Sequence, residues 1–129
     1  MIKVWLTVSF VIALPLQAMS HCDEATLNHV DYMQCLDQQL LMAKQELTSW
    51  ENNHLFKLEE QKKSTGRQDG LRLFNKARQS FELYSEHDCR WQFVGQLPDG
   101  KIASAHYKEC KLYHLKQRIE LLKHTKIHQ

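Results

Sequence analysis

Beyond residue 25 the apolar positions recur with a helical period. Met33, Leu36, Leu40, Ala43, Leu47, Trp50 and His54 follow one another at alternating steps of three and four. That is a seam of coiled-coil type held over three heptads. Charged and amide residues, among them Asp37, Gln38, Lys44, Gln45 and Glu51, fill the other faces, and neither Gly nor Pro interrupts before Gly66. The pattern predicts a long first helix from about Ala25 to Lys62 or Lys63, whose charges suit a helix C-terminus. Ser64-Thr65-Gly66 reads as a turn, and Thr65 or Asp69 is placed to cap the next helix. Phe74, Ala77, Phe81 and Tyr84 then repeat the three-four step, predicting a second helix that ends near Cys89 or Trp91. A short turn between two matching seams predicts an antiparallel helical hairpin.

From Trp91 to Ala103 the chain changes character. Trp91, Phe93, Val94, Leu97 and Ile102 surround the turn signal Leu97-Pro98-Asp99-Gly100, which predicts a short irregular or β-hairpin connection. Helix returns at about Ser104, with Leu112, Leu115, Ile119 and Leu122 as its apolar stripe, and the tail beyond Lys123 is polar. The expected class is all-α: an antiparallel helical hairpin plus a third helix.

The opening stretch does not fit that scheme. A lone cation, Lys3, precedes an apolar run from Val4 to Leu14, then Pro15 and the small-residue site Ala18-Met19-Ser20. This reads as an export leader over residues 1–20, shorter than the roughly 20 apolar residues that a bilayer crossing needs. The folded domain is then 21–129, with no stable membrane insertion expected after cleavage. Removing Lys3 with the leader takes the formal charge from +2 to +1, too little for nucleic-acid binding by bulk charge.

All four cysteines, Cys22, Cys35, Cys89 and Cys110, lie after the leader. In an exported chain an even count reads as two disulfides, each contributing roughly 2–4 kcal/mol to a small core. In an antiparallel hairpin Cys22, Cys35 and Cys89 share one end, and Cys110 reaches it from the third helix. That favours the local pairs Cys22–Cys35 and Cys89–Cys110 and leaves the crossed pairs geometrically open.

Catalytic patterns are missing: no Gly-rich phosphate loop, HExxH or nucleophile elbow occurs. Glu59-Glu60 and Glu86-x-Asp88 read as solvated helix faces, and the chain is expected not to be an enzyme. The eight histidines match no zinc spacing, and no metal or cofactor is implied. His21 is a minor exception: as a new N-terminus it would offer Cu(II) an amine and an imidazole. His54 reads as a half-buried end-of-seam residue. The candidate partner-binding surface is the Trp91–Ile102 segment, with Trp91, Phe93, Leu97 and Asp99 as contacts. The competing expectation is that Trp91, Phe93 and Ile102 tuck back over the open end of the hairpin.

Three spaced patterns carry a resemblance. They are Ala77-x-x-x-Phe81-x-x-Tyr84-x-x-x-x-Cys89; Cys110 followed by Arg118 and Leu121; and Cys22-x-x-Ala25 with Cys35, Ala43 and Leu47. Together they resemble the small secreted bacterial proteins grouped as lysozyme inhibitor LprI-like. The chain departs from that pattern in Phe81, where the family usually has Trp, and in Ser85, where an Arg is common. The resemblance implies a structural motif at Ala77, Phe81, Tyr84 and Arg118. It also implies a periplasmic or secreted binder whose protein partner is lysozyme or another cell-wall hydrolase, blocked sterically. Two other classes stay open: a non-inhibitory envelope interaction module, with the Met33–Trp50 seam pairing two copies, and an immunity protein against a secreted antibacterial toxin.

Overall fold

A computed structural model describes residues 21–128, so the expected leader at 1–20 lies outside the described residues. Among the described residues the fold has three helices: α1 (His29–Thr65), α2 (Asp69–Gly95) and α3 (Gly100–His124). No strand occurs among the described residues.

Local chemistry sets each boundary. The side chain of Asn28 accepts from the Asp31 N–H at 3.0 Å, so α1 starts later than the apolar pattern suggested. Asp23 holds the preceding turn through the Ala25 N–H. At the other end Gly66 takes φ 73°, the left-handed conformation that glycine adopts without a Cβ penalty, and donates to the Lys62 carbonyl. Neither expected residue caps α2. Gln68 stands at the cap position without a side-chain bond, Thr65 bonds back to the Gln61 carbonyl, and Asp69 pairs with Arg72 inside the first turn.

The largest difference from expectation falls between Trp91 and Ile102. No hairpin forms there: α2 continues to Gly95, and only four residues connect it to α3. Asp99 explains the early restart, because its Oδ1 accepts from the backbone N–H groups of Lys101 and Ile102, both at 3.1 Å. The turn signal at Pro98-Asp99-Gly100 is thus a helix start, not the tip of a hairpin.

The helices run up, down and up. Cross-contacts place α1 and α3 parallel (Tyr32 with Glu109, Glu46 with Lys123). They place α2 antiparallel to both, through Arg78 with Glu51 and Glu86 with Tyr107. α3 packs against both partners, and direct packing of α1 on α2 is the slightest of the three. The main core joins Ala43 and Leu47 to Leu115, Ile119 and Leu122, with Leu40, Trp50, Phe74, Phe81 and Leu112 packed around it. A smaller cluster of Tyr32, Leu36 and Ala105 fills the first-disulfide end together with Cys22, Leu27 and Met33. Where α1 and α2 do meet, Gly70 allows it: a Cβ there would stand 3.1 Å from Leu58 Cδ2.

The α1 seam is buried as expected, but inside the chain against α3, so it is not available to pair two copies. Glu51 is a correction to the expected polar faces: it is buried and accepts from Arg78 Nε at 2.8 Å. The α2 seam is also out of phase with expectation. Its inner face runs through Phe74, Arg78, Phe81, Ser85 and Cys89, while Ala77 and Tyr84 point outward and are exposed. Two polar residues on the inner face hid its period.

Candidate functional site

Both disulfides join local pairs, Cys22–Cys35 and Cys89–Cys110. The first ties the N-terminal segment to the opening turns of α1, and the second crosslinks α2 to α3. Cys89 is fully buried, and Gln92 Nε2 donates to Cys110 Sγ at 3.4 Å. His114 lies close enough to make a nominal metal-ligand group with these two cysteines, but their sulfurs are bonded to each other. His21 is exposed at the mouth of a 430 Å³ hollow that also takes in Tyr32, Glu109 and Tyr113.

A polar frame links α2 to α3 beside the second disulfide. Asp88 accepts from His114 Nε2 at 2.7 Å and from Trp91 Nε1 at 3.1 Å. Hydrogen bonds from Trp91, and then from His114, hold the Asp88 carboxyl below its ordinary pKa. The edges of the Tyr84 and Tyr113 rings flank His114. Beside this frame Tyr107 donates to Glu86 Oε2 at 2.6 Å, and Lys111 joins Glu86 to Ser85. The Tyr107 bond, with that of Lys111, lowers the Glu86 pKa. Glu86 and Asp88 are therefore interhelical ties, where the sequence suggested solvated carboxylates. Where α1 meets α3 at the same level, Tyr32 donates to Glu109; burial, then that bond, raises the phenol's pKa.

The four expected contact residues do not form one patch. Trp91 is 64% exposed and Leu97 49% exposed. Phe93 is half-buried, its ring set edge-on to Tyr107 of α3, because residues two apart on a helix face different ways. The Asp99 carboxylate is taken up in capping α3. The tucked-back alternative holds for Phe93 alone, since Ile102 is exposed as well. Of the structural motif, Phe81 and Arg118 come together: the guanidinium sits 5.8 Å from the Phe81 centroid and 5.9 Å from that of Phe74. Ala77 and Tyr84 stand outside. His54 is more deeply buried than its place in the seam suggested, donating from Nε2 to the Leu122 carbonyl at 2.8 Å.

A family model described as Lysozyme inhibitor LprI matches residues 22–122. The chain belongs to the LprI family. The LprI match opens on the first half-cystine and closes on Leu122, so it spans both disulfides and the core residues of all three helices. The LprI family is named for inhibition, not for catalysis. No curated protein and no solved structure matches the chain.

Sequence reasoning missed the Asp88–His114–Trp91 frame and the Glu51–Arg78 pair. The i, i+3 spacing of Asp88 and Trp91 on one helix was the signal for the first. Nothing local marked the second, whose partners lie 27 residues apart.

Proposed function

We propose that this protein is exported to the periplasm or beyond, and there inhibits lysozyme or another cell-wall hydrolase by occluding its cleft, without chemistry of its own. The observation that carries this reading is the LprI match, which runs across both disulfides. The leader-like residues 1–20 support export, and paired cysteines suit an oxidising compartment. No helix among the described residues is long and apolar enough to cross a membrane. Trp91 and Leu97 supply exposed apolar surface for the contact, with Phe93 and Asp99 fixing the helix ends that carry them.

The test is a muramidase assay, with the oxidised protein beginning at His21 titrated into a c-type lysozyme acting on cell walls. Dose-dependent inhibition, lost when both disulfides are reduced, is the expected result. No inhibition at high micromolar concentration overturns the reading and leaves a non-inhibitory envelope interaction module.

A further inference from the structure

The exposed face of α2 carries a second regular stripe, which borders α3 at Tyr84. Ala77, Ser80, Tyr84, His87, Trp91 and Val94 follow one another at steps of three and four, and all are exposed. Leu73, one step earlier, extends the stripe and is exposed too. None of them carries a fixed charge. A stripe of this spacing is what a helix ordinarily buries against a partner. Trp91, Tyr84 and Leu83 border a shallow hollow of about 420 Å³ on the crest, wide enough to receive a partner's side chain. The crest is also held in place, because the Trp91 indole donates to Asp88, and Asp88 is bound to His114 of α3. Such preorganisation lowers the ordering cost of binding.

The two edges of the crest differ. Exposed Lys76 and Arg90 stand along one side. On the other stands Asp88, whose carboxylate already accepts two hydrogen bonds. The surface therefore offers aromatic and apolar area with a basic margin. A second copy fits it poorly: antiparallel pairing of two α2 helices about Leu83 brings Lys76 of each beside Arg90 of the other. A cleft that carries carboxylates fits it well, and glycoside hydrolases keep a pair of Asp or Glu residues flanking the scissile bond.

We infer that the outer crest of α2, from Ala77 to Val94, is the inhibitory surface, seated in the carboxylate-bearing cleft of a glycoside hydrolase with Arg90 and Lys76 on its acids. This rests on the inhibitor reading above and names the surface that performs it.

The test uses the full oxidised protein in the muramidase assay, with helicity of every variant checked by circular dichroism. Arg90→Glu and Trp91→Ala each raise the inhibition constant at least tenfold. Phe56→Ala, on an exposed part of α1 far from the crest, leaves it unchanged. Inhibition by the parent protein also weakens as salt rises. If the parent inhibits and both crest variants inhibit equally well, the crest is not the surface, although the inhibitor reading stands. If the parent does not inhibit, both fall together. A parent that sediments as a dimer, with the Trp91→Ala variant a monomer, assigns the crest to a second copy and overturns the inference.

Discussion

Arg78 on α2 donates from Nε to Glu51 Oε2 on α1 at 2.8 Å, bridging the two helices that touch each other least. The pair lies in a 300 Å³ groove between them, bordered by Leu47, Phe81 and Leu115. The Glu51 side chain is 9% exposed and that of Arg78 32%. Removing Arg78 strands a nearly dry carboxylate, which is worse than removing both charges. Arg78→Ala should cost about 2 kcal/mol, allowing for partial solvation of the guanidinium. Glu51→Leu with Arg78→Met should recover most of that loss, as read from urea midpoints at constant slope.

The two disulfides should be worth different amounts. Cys89–Cys110 closes a separation of 21 residues between two helices, at a fully buried half-cystine. Cys22–Cys35 closes 13 residues and holds a short segment onto the helix that comes after it. Freed of that bond, residues 21–27 can fray while α1 remains. Cys89→Ser/Cys110→Ser should lose about 3 kcal/mol and Cys22→Ser/Cys35→Ser about half as much, as compared in paired denaturation curves.

Asp99 should prove a stability residue. Asp99→Ala removes both bonds from Oδ1 to the start of α3 and should cost about 1 kcal/mol, whereas Asp99→Ser keeps a cap and most of the stability. In thermal melts the two should separate. Inhibition by folded Asp99→Ala should match that of the parent; a loss would make Asp99 itself a contact.

Acid should loosen the α2–α3 frame. Asp88 and Glu86 both titrate below their ordinary values in the folded chain. A lowered folded pKa contributes stability above the unfolded value, near 4 for carboxylates, and that contribution is lost as the pH falls through the folded value. This part of the stability should be constant above about pH 5 and decline below about pH 4. Asp88→Asn should start less stable at neutral pH and show a shallower acid decline, measured as urea midpoints across that range.

Much of the architecture was legible because α1 obeys one rule along its length: Leu36, Ala43 and Leu47 recur with the helical period and are buried. The count and order of helices came with it, as did the local cystine pairs. The phase of α2 was hidden by Arg78 and Ser85, polar residues facing inward, which made the outward Ala77 and Tyr84 look like core. Pro98-Asp99-Gly100 was recognised as a turn, but the same residues also suit a helix N-terminus, and the cap won. For Trp91 the sequence left two readings, an exposed anchor or a lid tucked over the hairpin end, and the structure exposes it. Its bond to Asp88 and its place on the outer crest required the helix to run through it.

Tyr32 and Glu109, hydrogen-bonded across α1 and α3, lie 77 residues apart in the chain. Since α1 and α2 hardly pack without α3, the core cannot close until the last 25-residue helix is present. Contacts of such long sequence separation also slow closure once the chain is complete. Synthesis therefore delivers the first three-quarters of this chain with nothing stable to fold onto. A ribosome-bound or truncated form ending before Gly100 should be protease-sensitive throughout, and the chain should remain threadable through a narrow pore until its final helix has emerged.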